Sequence, residues 1–158
     1  AGFNEYDHHE VMMRHHPAFD DPEEVKCFLR ETPNGKRAFQ EIFEQAMLRW
    51  MSGKHDADYA ESWPQFRERV VKALQRVVAS AEASQNIIVF TSGGPIATMC
   101  QHLLGLPDSG AAELSWSLVN CAVTKLFYRA GSSNPRMVLS YLNSYAHFET
   151  QAGFITYR

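Results

Sequence analysis

At 158 residues the chain has room for one domain with a substantial core and not for two comfortable ones. Apolar residues at 45% and charged residues at 21% make an ordinary globular composition and exclude a disordered chain. A formal net charge of −3 offers no general attraction to nucleic acid or anionic lipid, so any anion site has to be assembled locally.

The first seven residues, Ala1 to Asp7, carry a glycine, an asparagine and two acids and read as a loop. Good helix formers then run from His8 to His16 and stop at Pro17, which predicts a short helix. This run holds four histidines, but His8 and His15 lie two turns apart, as do His9 and His16. Zinc motifs on a helix use spacings of about three or four residues, so the cluster reads as a polar face or pocket rim and no metal site is assigned. Asp21-Pro22-Glu23-Glu24 forms a helix start, with Asp21 as cap, Pro22 at the first position and two carboxylates facing the positive end of the helix dipole. That helix runs through Phe28 and Leu29, and Thr32-Pro33-Asn34-Gly35 is a turn by composition.

Phe39, Ile42, Phe43, Ala46, Met47 and Trp50 recur at spacings of three and four, which predicts an amphipathic helix with a broad buried stripe. Residues 52–59 are polar and glycine-broken, a surface loop. Ser62 then caps a helix with Pro64 in its first turn and Phe66, Val70, Leu74 and Val77 along its apolar face. Arg67, Arg69, Lys72 and Arg76 occupy its other positions. As a stripe they describe a solvated face, although one arginine turned inward would serve an anion pocket.

The stretch from Asn86 to Thr98 organises the rest. Ile87-Ile88-Val89-Phe90 predicts a strand buried on both faces, of the kind found inside a parallel sheet. Thr91-Ser92-Gly93-Gly94 follows, then Pro95 where a helix places its first residues. The opening N–H groups of a helix have no internal partner and carry positive partial charge. Glycine lets a ligand approach that backbone, and the two hydroxyls add donors. Two readings stand open here, an anion site or a plain strand-to-helix connection.

The helix after Pro95 buries Ile96, Ala97, Met99, Cys100, Leu103 and Leu104 and ends at Gly105. Residues 110–117 are ambiguous. Asn120 to Arg129 and Arg136 to Leu142 predict two strands joined by a hairpin-like loop at 131–135. The fold class is therefore α/β, expected as three layers, α/β/α, with too few strands to flank the one at 87–91. Cys27, Cys100 and Cys121 lack CxxC spacing and read as reduced, buried thiols, which predicts a cytoplasmic protein. No apolar run reaches the length of a membrane span, and the first residues show no signal-peptide stretch.

In this order the motifs resemble the histidine phosphatase superfamily, also called phosphoglycerate mutase-like, over nearly the whole chain. Phe3-Asn4-Glu5-Tyr6-Asp7 looks like its acid loop. Glu61-Ser62 with Arg69 looks like its Glu-Ser helix start and following arginine, Thr91-Ser92-Gly93-Gly94 stands at its Ser-His-Gly-Gly turn, and Asn143-Ser144-Tyr145-Ala146-His147 matches its Asn-x-x-x-His segment. The resemblance implies a single domain over 1–158 that hydrolyses a phosphomonoester through a phosphohistidine. Glu5 would be the general acid, and Thr91, Ser92, Gly93 and Gly94 would bind phosphate, with Ser92 at a catalytic position. No cofactor is implied, and the partner would be a phosphorylated small molecule or phosphoprotein. A neutral imidazole is a good nucleophile near pH 7, and cations with aligned N–H donors stabilise phosphoryl charge.

Two departures qualify that expectation. No Arg-His-Gly occurs; Arg14-His15-His16 follows a charged helical run rather than a strand and lies on the wrong side of Glu5. Ser92 replaces the second histidine, and a hydroxyl cannot carry positive charge. Together with the strand deficit, the first departure predicts that this chain is the C-terminal portion of a longer domain, inactive alone. A non-catalytic phosphate-binding module is the alternative. A serine hydrolase built on Ser92 and His147 ranks third, because Phe90 occupies a position where the nucleophile elbow needs a small residue. The polar stretch around residues 8–60 is the expected lid that sets specificity.

Overall fold

Asp7 opens the first helix by accepting the backbone N–H groups of His9 and Glu10, each at 3.0 Å. Two donors that a helix start leaves without internal partners are thereby satisfied. The structure is a computed structural model and describes residues 2–129 and 136–157. Its helices are α1 (His8–His15), α2 (Pro22–Glu31), α3 (Gly35–Met51), α4 (Trp63–Ala79), α5 (Gly93–Leu104) and α6 (Asp108–Ser117), followed by strands β1 (Val123–Tyr128) and β2 (Met137–Ser144). Short 3₁₀ turns connect several of them.

Helix boundaries follow the local chemistry. Asp21 caps α2 by accepting the Glu23 N–H at 2.9 Å, with Pro22 at the first position. Gln65 reaches back to the Ser62 N–H at 2.8 Å, the returning arm of a capping box at the start of α4. Gly105 ends α5 at φ +67°, a conformation glycine takes without a Cβ penalty. The ambiguous segment 110–117 falls within α6, and the loop expected at 131–135 lies outside the described residues.

The chain divides into two compact units, one of Tyr6–Phe66 and one of Ala1–Glu5 with Arg67–Arg158. In the first, α1 and α2 pack on α3. Its core is aromatic: Trp50 meets Tyr6, Trp63 and Phe66 at ring separations of 4.8, 5.2 and 5.7 Å, and its indole N–H donates to the Glu61 carbonyl at 2.9 Å. Rings that bury this much surface and still satisfy their polar edge are strong core anchors. The stripe on α3 is narrower than its spacing suggests, since Ala46, Met47 and Trp50 are buried while Phe39, Ile42 and Phe43 are half-buried.

In the second unit, α5 packs on α6 and touches β2. β1 and β2 pair antiparallel, from Val123 opposite Ser144 to Tyr128 opposite Met137, with register irregularities near Lys125. Asn143, at φ +53°, fastens β2 to the end of α6: its side chain accepts the Val119 N–H at 2.9 Å and donates to the Ser117 carbonyl at 3.0 Å. The Tyr128 hydroxyl reaches the carbonyls of Glu82 and Gln85. Helices with a small sheet place the chain in the mixed α/β class, as expected.

Two expectations are corrected. Residues 87–91 form no strand, and Ile88 is 79% and Phe90 93% exposed, so this run is not buried on both faces. A strand needs neighbours for its backbone donors and acceptors. Among the described residues the only sheet is β1 paired with β2, and nothing pairs with 87–91. The cysteines differ as well: Cys100 is buried, but Cys27 is half-buried and Cys121 is exposed at φ +61°.

Candidate functional site

At the start of α5, Ser92 is the N-cap with extended backbone, and its hydroxyl makes no capping hydrogen bond. Pro95 has no N–H to offer, and the Ile96 N–H already donates to the Ser92 carbonyl at 3.3 Å. Gly93 and Gly94 therefore supply the opening donors of this helix. The Gly94 N–H donates to Glu5 Oε2 at 3.1 Å, across 89 positions of sequence. A carboxylate at a helix N-terminus is stabilised by dipole and hydrogen bond together, by about 0.3–1 kcal/mol in an exposed setting.

The segment bearing Glu5 is held at three successive carbonyls. Arg69 Nη1 donates to the Gly2 and Asn4 carbonyls at 3.1 and 3.0 Å, and the Thr91 hydroxyl donates to the Phe3 carbonyl at 2.7 Å. Gly2 lies against α4 so closely that a Cβ there would stand 2.5 Å from Ala73 Cβ. One arginine of the basic stripe is thus turned toward the loop that bears Glu5, where it grips two backbone carbonyls.

Arg67 is also engaged. Its Nη1 donates to Asp108 Oδ1 at 3.1 Å, the same oxygen that accepts from Gln101 Nε2 at 2.7 Å, so α4, α5 and α6 are braced together. Lys72 pairs with Glu68 one turn away at 2.7 Å, and Arg76 is exposed, so the rest of the stripe is the solvated face that was expected. The interior face of α5 is more polar than its sequence suggests. Thr98 and Gln101 are 1% and 2% exposed, and among the described residues Thr98 Oγ1 and Gln101 Oε1 have no hydrogen-bond partner.

The predicted site residues are thus partly brought together. Glu5 meets Gly94, Thr91 joins the cluster through Phe3, and Ser92 and Gly93 sit at the helix start. His147 is exposed in a 3₁₀ turn, its ring tilted against that of Phe148 at 4.1 Å; among the described residues it shares no hydrogen bond with Ser92. Asn143 fastens the backbone, as described above. Of the clustered histidines, His16 stacks on Phe19 at 4.0 Å and His9 stands 3.8 Å from Asp20. Among the described residues no three His, Cys, Asp or Glu side chains are placed to hold a metal ion.

In the other unit, Met13, Arg14, Pro17, Asp20, Arg49 and Asp58 line a cleft of about 340 Å³. Its cations are answered locally, Arg14 by Glu10 and Arg49 by Asp58 and Tyr59. The Arg49 hydrogen bond is the main cause that holds the Asp58 carboxyl below its ordinary value. Away from both places, burial pushes the Cys100 thiol up to about 11.

Sequence reasoning missed the grip of Arg69 on Gly2 and Asn4, because every residue carries a carbonyl and no spacing rule marks which one an arginine will find. It also missed the Arg67–Asp108–Gln101 brace, whose acid lies 41 positions from Arg67.

Fold and site together define an α/β protein with a carboxylate-bearing loop set against a glycine-rich helix start. A family model of the histidine phosphatase superfamily (branch 1) matches residues 24–139, and the chain belongs to that superfamily. The match takes in the 91–94 turn and Arg69, while Glu5 and the 143–147 segment, both read from sequence resemblance, lie outside it. Comparisons with curated proteins and with solved structures gave no match. Among the described residues no helix is long and apolar enough to cross a membrane.

Proposed function

We propose that this chain is the acid-bearing and phosphate-binding portion of a histidine phosphatase that hydrolyses a phosphomonoester through a phosphohistidine. One observation carries the reading: Glu5 and the Gly93-Gly94 helix start, distant in sequence, lie within hydrogen-bond reach of each other. A phosphoryl oxygen at those N–H groups would be met by donors aligned with the helix dipole. Glu5 beside it would protonate the leaving oxygen. Thr91 acts in this reading by holding Phe3, and Ser92 stands at the turn as a neutral donor.

The nucleophile is an Arg-His-Gly histidine on a strand that this sequence does not contain. Such a strand is supported by the run at 87–91, with which no strand pairs among the described residues and whose apolar side chains Ile88 and Phe90 are exposed. The substrate is a phosphorylated small molecule or phosphoprotein, handled without a cofactor in the cytoplasm, and the 8–60 segment sets specificity. The experiment is phosphohistidine trapping with a generic phosphomonoester, on this chain and on the polypeptide translated with the codons upstream of Ala1. The expected result is an acid-labile phosphohistidine on the longer product and no turnover by this chain. Turnover by this chain alone overturns the division of labour.

A non-catalytic phosphate-binding module is favoured by one specific feature, the serine at position 92 in place of the second histidine. Phosphate binding by the longer product with no covalent intermediate would decide for it. A fluorophosphonate that labels Ser92 would revive the serine hydrolase.

A further inference from the structure

We infer that the cleft on the Tyr6–Phe66 unit binds a small zwitterion of the α-amino acid kind with an apolar side chain, its carboxylate taken by Arg14 and its ammonium by Asp20. The cleft measures about 340 Å³ and is lined by Met13, Arg14, Pro17, Asp20, Arg49 and Asp58. Its four charged residues have unequal capacity left for a ligand. Arg49 and Asp58 are spent on the chain itself, since Arg49 donates to the Tyr59 hydroxyl at 2.6 Å and to the Asp58 carboxylate. Arg14 makes one hydrogen bond among the described residues, to Glu10 Oε1 at 3.4 Å, which is long for a charged pair. That acceptor is already engaged, because the Ala60 N–H lies 3.0 and 3.2 Å from the two Glu10 oxygens. A guanidinium carries five N–H donors in a planar fork, so most of the Arg14 head remains for a carboxylate.

Asp20 is the matching anion. Its side chain is 65% exposed, and its one charged neighbour among the described residues, His9 Nε2, stands at 3.8 Å, beyond hydrogen-bond distance. Both groups are carried on anchored backbone. Arg14 lies in the last turn of α1, which buries Val11 and Met12. Asp20 follows buried Phe19, whose ring stacks with His16 and Phe39 and meets Phe28 edge-on. A ligand with a single charge would satisfy one of the two groups and face the like charge of the other, whereas a zwitterion satisfies both. Met13 and Pro17 give its side chain an apolar wall.

The test is an isotope-edited amide spectrum of the purified chain titrated with L-leucine, beside isocaproate, which is leucine without its amine, and isoamylamine, which is leucine without its carboxylate. L-leucine is expected to shift amides within residues 13–20 saturably, and each half-molecule to bind about tenfold more weakly, the size of one lost charge-assisted hydrogen bond. Arg14→Gln and Asp20→Asn change exposed side chains and should leave the rest of the spectrum in place. Each is expected to weaken leucine binding about tenfold, with Arg14→Lys recovering part of the loss. Amides at 13–20 that leucine leaves unmoved overturn the inference. So does isocaproate or isoamylamine binding as tightly as leucine, or leucine affinity unchanged in Arg14→Gln and Asp20→Asn.

Discussion

The Arg69 guanidinium donates to the Asn4 carbonyl at 3.0 Å, one residue before the carboxylate that meets the start of α5. With its second bond to Gly2, it makes α4 the support of the acid loop. Hydrogen bonds from a charged donor are worth more than neutral ones. Arg69→Met is expected to lower stability by about 1–2 kcal/mol and to shift the Gly94 amide resonance, since Glu5 loses its anchored backbone. Urea unfolding and an amide spectrum check the two effects, and Arg69→Lys should recover part of the first.

Gly2 makes a second demand on the same support. A Cβ at this position would fall 2.5 Å from Ala73 Cβ, closer than side-chain atoms approach. Gly2→Ala is expected to push residues 2–5 off α4, at a cost of about 1–3 kcal/mol typical of overpacking. Hydrogen exchange should show faster exchange at the Gly94 amide in the variant, because its acceptor withdraws with the loop.

How far this was legible in the sequence depends on whether the information is local. Asp21-Pro22 and Gly105 mark their helix ends through their own backbone preferences, and both ends lie where expected. The superfamily was legible as the order of short motifs along the chain, and the family match over 24–139 shows it. The run at 87–91 was misread because burial of a strand is a property of its neighbours. Ile-Ile-Val-Phe states an apolar preference that exposed Phe90 does not realise. Cys121 was misread for a similar reason: it lies at positive φ in a turn beside an apolar stretch rather than within a core.

The thiols differ in reactivity. Cys100 is buried and its thiol is pushed up to about 11 by burial, so little thiolate forms at neutral pH. Cys121 is exposed. A disulfide reagent at pH 8 is expected to label Cys121 first and Cys100 only on unfolding, which mass spectrometry of timed samples would read. Rapid labelling of Cys100 in the folded chain would contradict its burial.

Asp58 supplies a pH dependence whose sign is fixed. The hydrogen bond from Arg49 is the largest cause holding its folded carboxyl below the ordinary value, while desolvation opposes this. The stabilisation is therefore fully present above the unfolded value, at about pH 5 and higher, and is lost as pH falls through the depressed folded value. A carboxyl titration followed by NMR should place the Asp58 midpoint below that of an unfolded peptide, and Arg49→Met should return it toward the peptide value.

The proposed phosphate site at the turn from Thr91 to Gly94 is tested by an isotope-edited amide spectrum of this chain titrated with inorganic phosphate. Saturable shifts of the Gly93 and Gly94 amides, larger than those elsewhere in the chain, are expected. Unmoved amides at Gly93 and Gly94, or shifts confined to other residues, would contradict it.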